Sequence, residues 1–532
     1  MNYIESQGNS TCENSAVSSS VSTCNEADVL KLLGIAYLYP YQQLVIANVL
    51  DAVTSSDDEI PHAQLVILPT GFGKSVCFQV PALMIRGITI IVYPLKGLIA
   101  DQARRLSNSP KPVFTVTGDT GQETWNKLKH TVATNPDCII LTNPETLQSS
   151  LFLNVIQQKP LCHLVLDEAH CIAEWGDTFR PAYQQVNEFI KNYKPLMISA
   201  FTATASPPVL QRIAHTIFED NAYKLVMATT DRPNIYYKNI QTLNKLKTLK
   251  HLVAHCKKPL LIFTKSRTSA EILAHTLRRT FPCETVYFYH AGLTQSEKKQ
   301  IETWFFSSEQ GILTATCAYG MGMDKQNIRT VIHYETPNSM EAYIQEAGRA
   351  GRDGDAATAI LLTDWQAQNS FTHPELPAST YNPSQAITTL DRSRHAIMQF
   401  YAEQNETCRR NLLLISMGNE NVPCNNCDVC CNDITPYPPE LKLILTVIKK
   451  HPYQFTIKKL SHFLKGITNQ LLYISGYRTL CNWELTDINL IIEALLTKGL
   501  LKEAKGLRNG LMYVPQSPLV HLPPVSESPL EL

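Results

Sequence analysis

Four groups of residues in this chain have types and spacings suited to chemistry. The first is Leu68-Pro69-Thr70-Gly71-Phe72-Gly73-Lys74-Ser75, which follows an apolar run and opens a helical pattern over Lys74 to Leu83. Its glycines let the backbone curl so that successive N–H groups and the helix N-terminus point at phosphate oxygens. Lys74 adds a cation for the β- and γ-phosphates, and the Ser75 hydroxyl is a ligand for Mg²⁺. Thr70, Gly71 and Gly73 complete the cradle. The generic phosphate loop has Gly where Leu68 stands, so this is the shorter P-T-G-x-G-K-S form.

The second group is Leu164-Val165-Leu166-Asp167-Glu168-Ala169-His170, an apolar strand ending in two carboxylates about ninety residues beyond Lys74. Asp167 can hold Mg²⁺ through its shell, and Glu168 can polarise an attacking water. The third is Gln345-Glu346-Ala347-Gly348-Arg349-Ala350-Gly351-Arg352-Asp353-Gly354. Two arginines three apart are one helical turn apart, so both guanidinia can face one anion. Arg352 is the candidate finger on a γ-phosphate, with Arg349 beside it. The first two groups together specify nucleoside triphosphate hydrolysis. The fourth is Cys408, Cys424, Cys427 and Cys430, spaced C-x₁₅-C-x₂-C-x₂-C. Two-residue gaps let thiolates converge on one tetrahedral ion, and four-thiolate sites are closed, structural zinc sites. Cys431 adjoins Cys430 and is an alternative ligand, although the regular spacing favours Cys430.

These groups need strands to end where the chemistry is. Strand-like apolar runs occur at Gln64–Leu68, Ile88–Tyr93, Cys138–Thr142, His163–Asp167 and Leu196–Thr204. A second set occurs at Pro259–Thr264, Thr285–Tyr289, Gly311–Thr316, Thr330–Tyr334 and Thr358–Thr363. Runs rich in Ile, Val and Leu, alternating with longer helical patterns, predict α/β architecture with two parallel sheets, each covered on both faces. Asp231-Arg232-Pro233-Asn234 is the predicted connector. From about Pro374 the pattern turns helical, then reaches the cysteines, and Thr435-Pro436-Tyr437-Pro438-Pro439 marks a linker. Helical patterns at Leu441–Lys450, Ile457–Leu464 and Asp487–Lys498 are followed by Gly499 as a stop. Asn509-Gly510 then signals a hairpin between Leu500–Ala504 and Leu511–Val514, so a winged helix is expected.

The expected boundaries are a disordered tail over 1–26, lobes over 27–205 and 206–365, a zinc-binding segment over 366–433, a winged helix over 434–516 and a loose tail over 517–532. Length bounds the same picture: 532 residues make three or four domains at ~100–200 residues each. A chain 44% hydrophobic and 18% charged can bury real cores, which excludes a disordered or collagen-like protein. Forty-seven basic residues balance 47 acidic ones, so any nucleic-acid contact must be local. Between Glu440 and Gly510, however, eleven Lys or Arg stand against five Asp or Glu. That local excess suits a grip on duplex DNA, or a solvated face. No apolar run approaches the ~18 residues of a membrane span, and the first residues lack a secretory pattern. The odd count of 15 cysteines then reads as reduced thiols in a cytosolic-type compartment.

Taken in order, Pro69 to Ser75, Asp167 to His170, Thr202-Ala203-Thr204, His290-Ala291-Gly292, Gly320-Met321-Gly322-Met323 and Gln345 to Gly354 resemble the motifs of superfamily 2 helicases, and specifically the RecQ DNA helicases. The tract Cys171-Ile172-Ala173-Glu174-Trp175-Gly176-Asp177-Thr178-Phe179-Arg180-Pro181 is similar to that family's aromatic-rich loop, which couples single-strand binding to ATP hydrolysis. Trp175 and Phe179 offer faces on which bases stack at about 1–3 kcal/mol each, and Arg180 adds a phosphate or cation–π contact. Asp177-Thr178 stand where the family usually has His and Asp. Gln42 matches the family's adenine-reading Gln, while Tyr39 and Ile35 replace its usual Arg and Tyr.

The resemblance implies two RecA-like lobes, then a helical zinc-binding domain and a winged helix. It implies catalytic roles for Lys74, Asp167, Glu168, Gln345, Arg349 and Arg352, with Thr202 and Thr204 coupling the sites. It further implies ATP, Mg²⁺ and Zn²⁺, 3′→5′ movement on single-stranded DNA, duplex unwinding in replication, recombination and repair, and a single-strand-binding protein as partner. The location expected is a bacterial-type cytoplasm at the nucleoid, or the nucleus for a eukaryotic source. Two other readings stay open, an RNA helicase and a non-catalytic DNA-binding protein with a degenerate ATPase. Ribose differs from deoxyribose only by its 2′-OH, so these motifs do not decide the first. Intact Lys74, Glu168 and Arg352 weigh against the second.

Overall fold

A computed structural model describes residues 25–55, 62–69, 71–157, 159–175, 186–219, 221–320, 325–364, 383–434, 439–467 and most of 477–515. The chain divides after Thr229 into two compact units. In the first, seven strands form one parallel sheet: β1 (Ala63–Ile67), β2 (Ile88–Val92), β3 (Val113–Val116), β4 (Cys138–Thr142), β5 (Leu161–Leu166), β6 (Met197–Thr202) and β7 (Lys224–Met227), in the order β3-β4-β2-β5-β6-β1-β7. Every residue of β1, β2, β4 and β5 is buried, as continuous apolar runs require. Ile90, Ile140 and Leu164 of these strands pack with Leu128, Phe152, Phe189 and Ile213 from the covering helices. Each such side chain contributes about 1.5–3 kcal/mol on burial. The helix Pro40–Thr54 packs Val49, Ala52 and Val53 into a separate cluster with Ile85 and Met197.

The second unit has six parallel strands: β8 (Ile235–Thr242), β9 (Leu260–Phe263), β10 (Val286–Tyr289), β11 (Ile312–Ala315), β12 (Thr330–His333) and β13 (Ala357–Asp364), ordered β10-β11-β9-β12-β13-β8. Leu249, Val253, Leu273 and Leu277 from two helices cover one face with Ile262 and Ile332. The other face takes Tyr343, then Met398, Tyr401 and Leu413 from helices Pro383–Glu403 and Arg409–Ser416. The cysteine module therefore shares the core of this sheet. It also closes the edge of β8: Tyr237 bridges to Cys427, and the Asn239 N–H donates to Asp428 Oδ2 at 2.9 Å. Beyond it, helices Pro439–Lys450, Ile457–Lys465 and Leu485–Thr497 share a core around Trp483, Phe455 and Phe463 with an antiparallel pair, β14 (Lys502–Glu503) and β15 (Met512–Tyr513). This is the element order expected of a winged helix.

Two expectations need correction. The first sheet does not stop at residue 205: the helix Pro207–Ile217 packs Val209 and Ile213 into its core, and β7 pairs with β1. The break falls instead at the connector beginning near Asp231. Strands β3, β7 and β8 were also unforeseen, because these three edge strands are half exposed and carry no long continuous apolar run. Among the described residues no helix is long and apolar enough to cross a membrane, and no cysteine forms a disulfide.

Candidate functional site

The nucleotide loop of the first unit leaves the carboxyl end of β1. Gly71 and Gly73 sit at φ +91° and +73°, in the left-handed region open to glycine. Gly73 must also be small: a Cβ there would lie 2.6 Å from Gln42 Nε2. The Gln42 amide explains that closeness, since its Nε2 donates to the Phe72 carbonyl at 3.2 Å while its Oε1 accepts from the Tyr39 N–H at 2.9 Å. The Tyr41 hydroxyl donates to the same carbonyl at 3.1 Å, and the Tyr39 and Tyr41 rings stack with centroids 5.5 Å apart. Tyr39 is exposed, so an aromatic face stands beside the loop. Thr70 lies outside the described residues.

From the loop the helix Lys74–Met84 begins, with Lys74 in its first turn. Lys74 Nζ meets Glu168 Oε1 at 3.3 Å, with both side chains largely buried. Glu168 has φ +51°, a left-handed conformation costing about 1–3 kcal/mol in a non-glycine residue. It is held by its own N–H donating to Asp167 Oδ1 at 2.9 Å and by the Ala169 N–H donating to the Phe201 carbonyl at 2.7 Å. His170 Nδ1 lies 3.1 Å from the Thr202 hydroxyl, which donates to the Thr204 carbonyl at 3.0 Å. Burial pushes the Asp167 carboxyl up to about 6, opposed by the Lys74 charge and reinforced by Glu168. A buried carboxylate held up by burial is an oxygen donor of the kind a hard cation such as Mg²⁺ takes.

Sequence reading missed the support behind these groups. Gln102 Nε2 donates to the Ser75 hydroxyl at 3.3 Å, and Gln79 Nε2 donates to Gln102 Oε1 at 2.5 Å. The available signal was two glutamines on otherwise apolar helix faces. Trp175 ends the helix His170–Trp175; Phe179 and Arg180 lie outside the described residues, as do Met321 to Met323.

In the second unit the helix Met340–Ala347 ends at Gly348, so Gln345 is in its last turn and the arginines lie beyond it. Arg349 and Arg352 are therefore not one helical turn apart, as expected, but on a non-helical turn with Gly351 at φ +52°. The helix stops at Gly348, and Gly351 turns the chain before Arg352. Arg349 is buried, Arg352 half-buried. The helix is pinned to β12 by His333 Nε2 and Glu346 Oε2 at 3.0 Å. His290 meets Glu271 at 2.7 Å, and its Nδ1 accepts from the Gly292 N–H at 3.2 Å.

Cys408, Cys424, Cys427 and Cys430 place their Sγ atoms within 4.8 Å of one another. A tetrahedral zinc with bonds of about 2.3 Å separates its sulfurs by about 3.8 Å, and Cys408 and Cys427 stand 3.9 Å apart. Cys408 caps the helix Arg409–Ser416, and the Cys430 N–H donates to Cys427 Sγ at 3.4 Å. Cys431 Sγ turns instead to the Asn425 carbonyl at 3.4 Å. Arg409 and Asp428, both fully buried and 3.0 Å apart, brace the module from within.

Comparison with known proteins follows the same divisions. A DEAD/DEAH box helicase model matches residues 39–213, a helicase conserved C-terminal domain 244–354, and a RecQ zinc-binding model 363–431. The ATP-dependent DNA helicase RecQ of Pasteurella multocida is 31% identical over 428 residues, covering 80% of this chain and 66% of that protein. The RecQ of Haemophilus influenzae is 30% identical over 415 residues, covering 76% and 65%. The chain thus spans just under two thirds of the length of these relatives. The structure of the DUF1998 helicase MrfA bound to DNA and AMPPNP aligns at a TM-score of 0.51 with 18% identity, over 73% of this chain and 54% of that one, a likeness of fold. Two RecA-like sheets, each with its helicase match, followed by a four-cysteine cluster inside the RecQ zinc-binding match, make this chain similar to the RecQ helicases over most of its length.

Proposed function

We propose that the chain is an ATP-dependent DNA helicase that moves 3′→5′ on one strand and separates duplex DNA. The observation that carries the catalytic half of this reading is the Lys74–Glu168 contact of 3.3 Å at the ends of strands β1 and β5. Without nucleotide, the ammonium and the carboxylate compensate each other. When ATP enters the loop, its β- and γ-phosphates take over Lys74, and Glu168 is released to accept a proton from water. That water attacks the γ-phosphorus, the bond to the bridging oxygen of ADP breaks, and phosphate leaves. The positive φ of Glu168 holds its carboxylate ready rather than relaxed along the strand. Bound Mg²⁺, held by Ser75 and Asp167, would neutralise phosphate charge; Gln102 keeps the Ser75 hydroxyl turned to the site.

Arg352, with Arg349, supplies positive charge to the γ-phosphate as it transfers. The four thiolates hold zinc, which supports the fold. DNA as substrate rests on the similarity to the RecQ DNA helicases and on the basic excess over 440–510 that suits a duplex grip. The test is strand displacement on 3′-tailed and 5′-tailed DNA duplexes with ATP and Mg²⁺. Unwinding of the 3′-tailed duplex alone, lost in Lys74→Ala, is the expected result. Unwinding of RNA duplexes but not DNA, or activity indifferent to Lys74, would defeat the proposal.

A further inference from the structure

The connector Thr230 to Asn234 is more than a link between sheets. Residues on one side of it are gripped by the cysteine module: the Arg410 guanidinium holds both oxygens of Asp231, with Nε at 2.6 Å. Asn419 Nδ2 donates to the Thr230 hydroxyl at 3.1 Å, and Asn426 Nδ2 donates to the Pro233 carbonyl at 2.9 Å. The intervening residues grip the arginine turn. Arg232 Nη1 donates to the Gly348 carbonyl at 2.7 Å, and its Nη2 to those of Ala350 and Gly351 at 2.8 and 2.9 Å. Asn234 Nδ2 donates to the Gly351 and Asp355 carbonyls at 2.8 and 2.9 Å.

Those carbonyls follow a helix C-terminus, where the backbone has acceptors to satisfy and favours a cation. Arg232 meets both needs with a rigid fork that a lysine cannot reproduce. The fit is close as well: a Cβ on Gly351 would lie 2.7 Å from Asn234 Nδ2. Arg349 and Arg352 lie between and beside the clamped carbonyls, so their backbone is fixed by Arg232.

We propose that Arg232 is a positioning residue for the arginine finger, and that Asp231, held by Arg410, ties this position to the cysteine module. The module would then act on hydrolysis through the connector, besides stabilising its own fold. This rests on Arg352 being the finger, and the test separates the two ideas. In the full chain, DNA-stimulated ATP turnover is measured for Arg232→Lys, Arg352→Ala and the double variant, with zinc content and hydrogen exchange over 348–354. Arg232→Lys should lower kcat about tenfold, the scale of a misplaced catalytic group, with KM for ATP and zinc content unchanged and faster exchange over 348–354. Asp231→Asn should show the same pattern at about threefold. In the Arg352→Ala background Arg232→Lys should cost nothing more, because a finger already removed cannot be misplaced. Equal losses in both backgrounds, or wild-type kcat in Arg232→Lys, would overturn the coupling alone. Wild-type kcat in Arg352→Ala would overturn the finger assignment, and the coupling with it.

Discussion

The two sheets carry the candidate site groups in opposite ways. In the first unit the groups leave neighbouring strands β1, β6 and β5 and touch directly: Lys74 meets Glu168, His170 meets Thr202, and the Leu68 N–H donates to the Thr202 carbonyl at 3.0 Å. Sheet register alone brings them together. In the second unit the arginines lie on a turn, and the turn is held by Arg232 from the connector and by Arg329, which pairs with both Asp353 oxygens. One site is assembled by its own strands, and the other borrows rigidity from a module far along the chain. Damage should therefore spread differently from the two ends.

The largest effect is expected from Cys427→Ser. Structural zinc sites bind with on the order of 10 kcal/mol, so metal content by atomic absorption should fall to none and the second unit should lose cooperative unfolding. Nucleotide affinity of the first unit should stay within about twofold. A collapse of both would erase the contrast. Lys74→Ala comes next, with ATP turnover reduced by about 10³-fold, close to 4 kcal/mol of transition-state stabilisation, while zinc content is unaffected. Retained turnover would mean that the strand ends do not form the site.

Asp428→Asn sharpens the other side. Removing one partner of a fully buried pair leaves Arg409 uncompensated, at a cost of about 3–5 kcal/mol in urea melts. A loss below about 1 kcal/mol would remove the pair as a brace of the module.

The smallest effect concerns pH and the first sheet. His163 is wholly buried, 2.8 Å from the Ser199 hydroxyl, and burial pushes its imidazole down to about 3. The unfolded chain takes up a proton below about 6.5 that the folded chain refuses, so stability is full above that pH and falls as pH drops towards 3. From pH 7 to pH 5 the loss is about 2 kcal/mol. Urea melts at the two pH values should show it, and His163→Gln should remove it; an equal slope in the variant would assign the effect elsewhere.

Much of this was readable in advance for a physical reason. Central strands are buried on both faces, so Ile88 to Val92 or Leu161 to Leu166 appear as unbroken apolar runs, and all ten such runs became strands. Three of the four edge strands of these sheets escaped notice: Ile235 to Thr242, for one, mixes Tyr, Lys, Asn and Gln and is buried only at alternate positions over its first half. The cysteine spacing anticipated a cluster that the folded chain brings within 4.8 Å. Spacing misled at Arg349 and Arg352, where the helix ends at Gly348, before both arginines.

Short-range chemistry was thus written in the chain itself: glycines that let a loop curl, carboxylates that end a strand, thiols two residues apart. Such features depend on neighbours within one turn, which local geometry dictates. Partners distant in sequence were decided only on folding. Gln42 under Gly73, Gln102 on Ser75, and Asp231 with Arg232 between Arg410 and Gly348 are joined across 27 to 179 positions. No periodicity encodes such pairs, because the packing of whole elements chooses them.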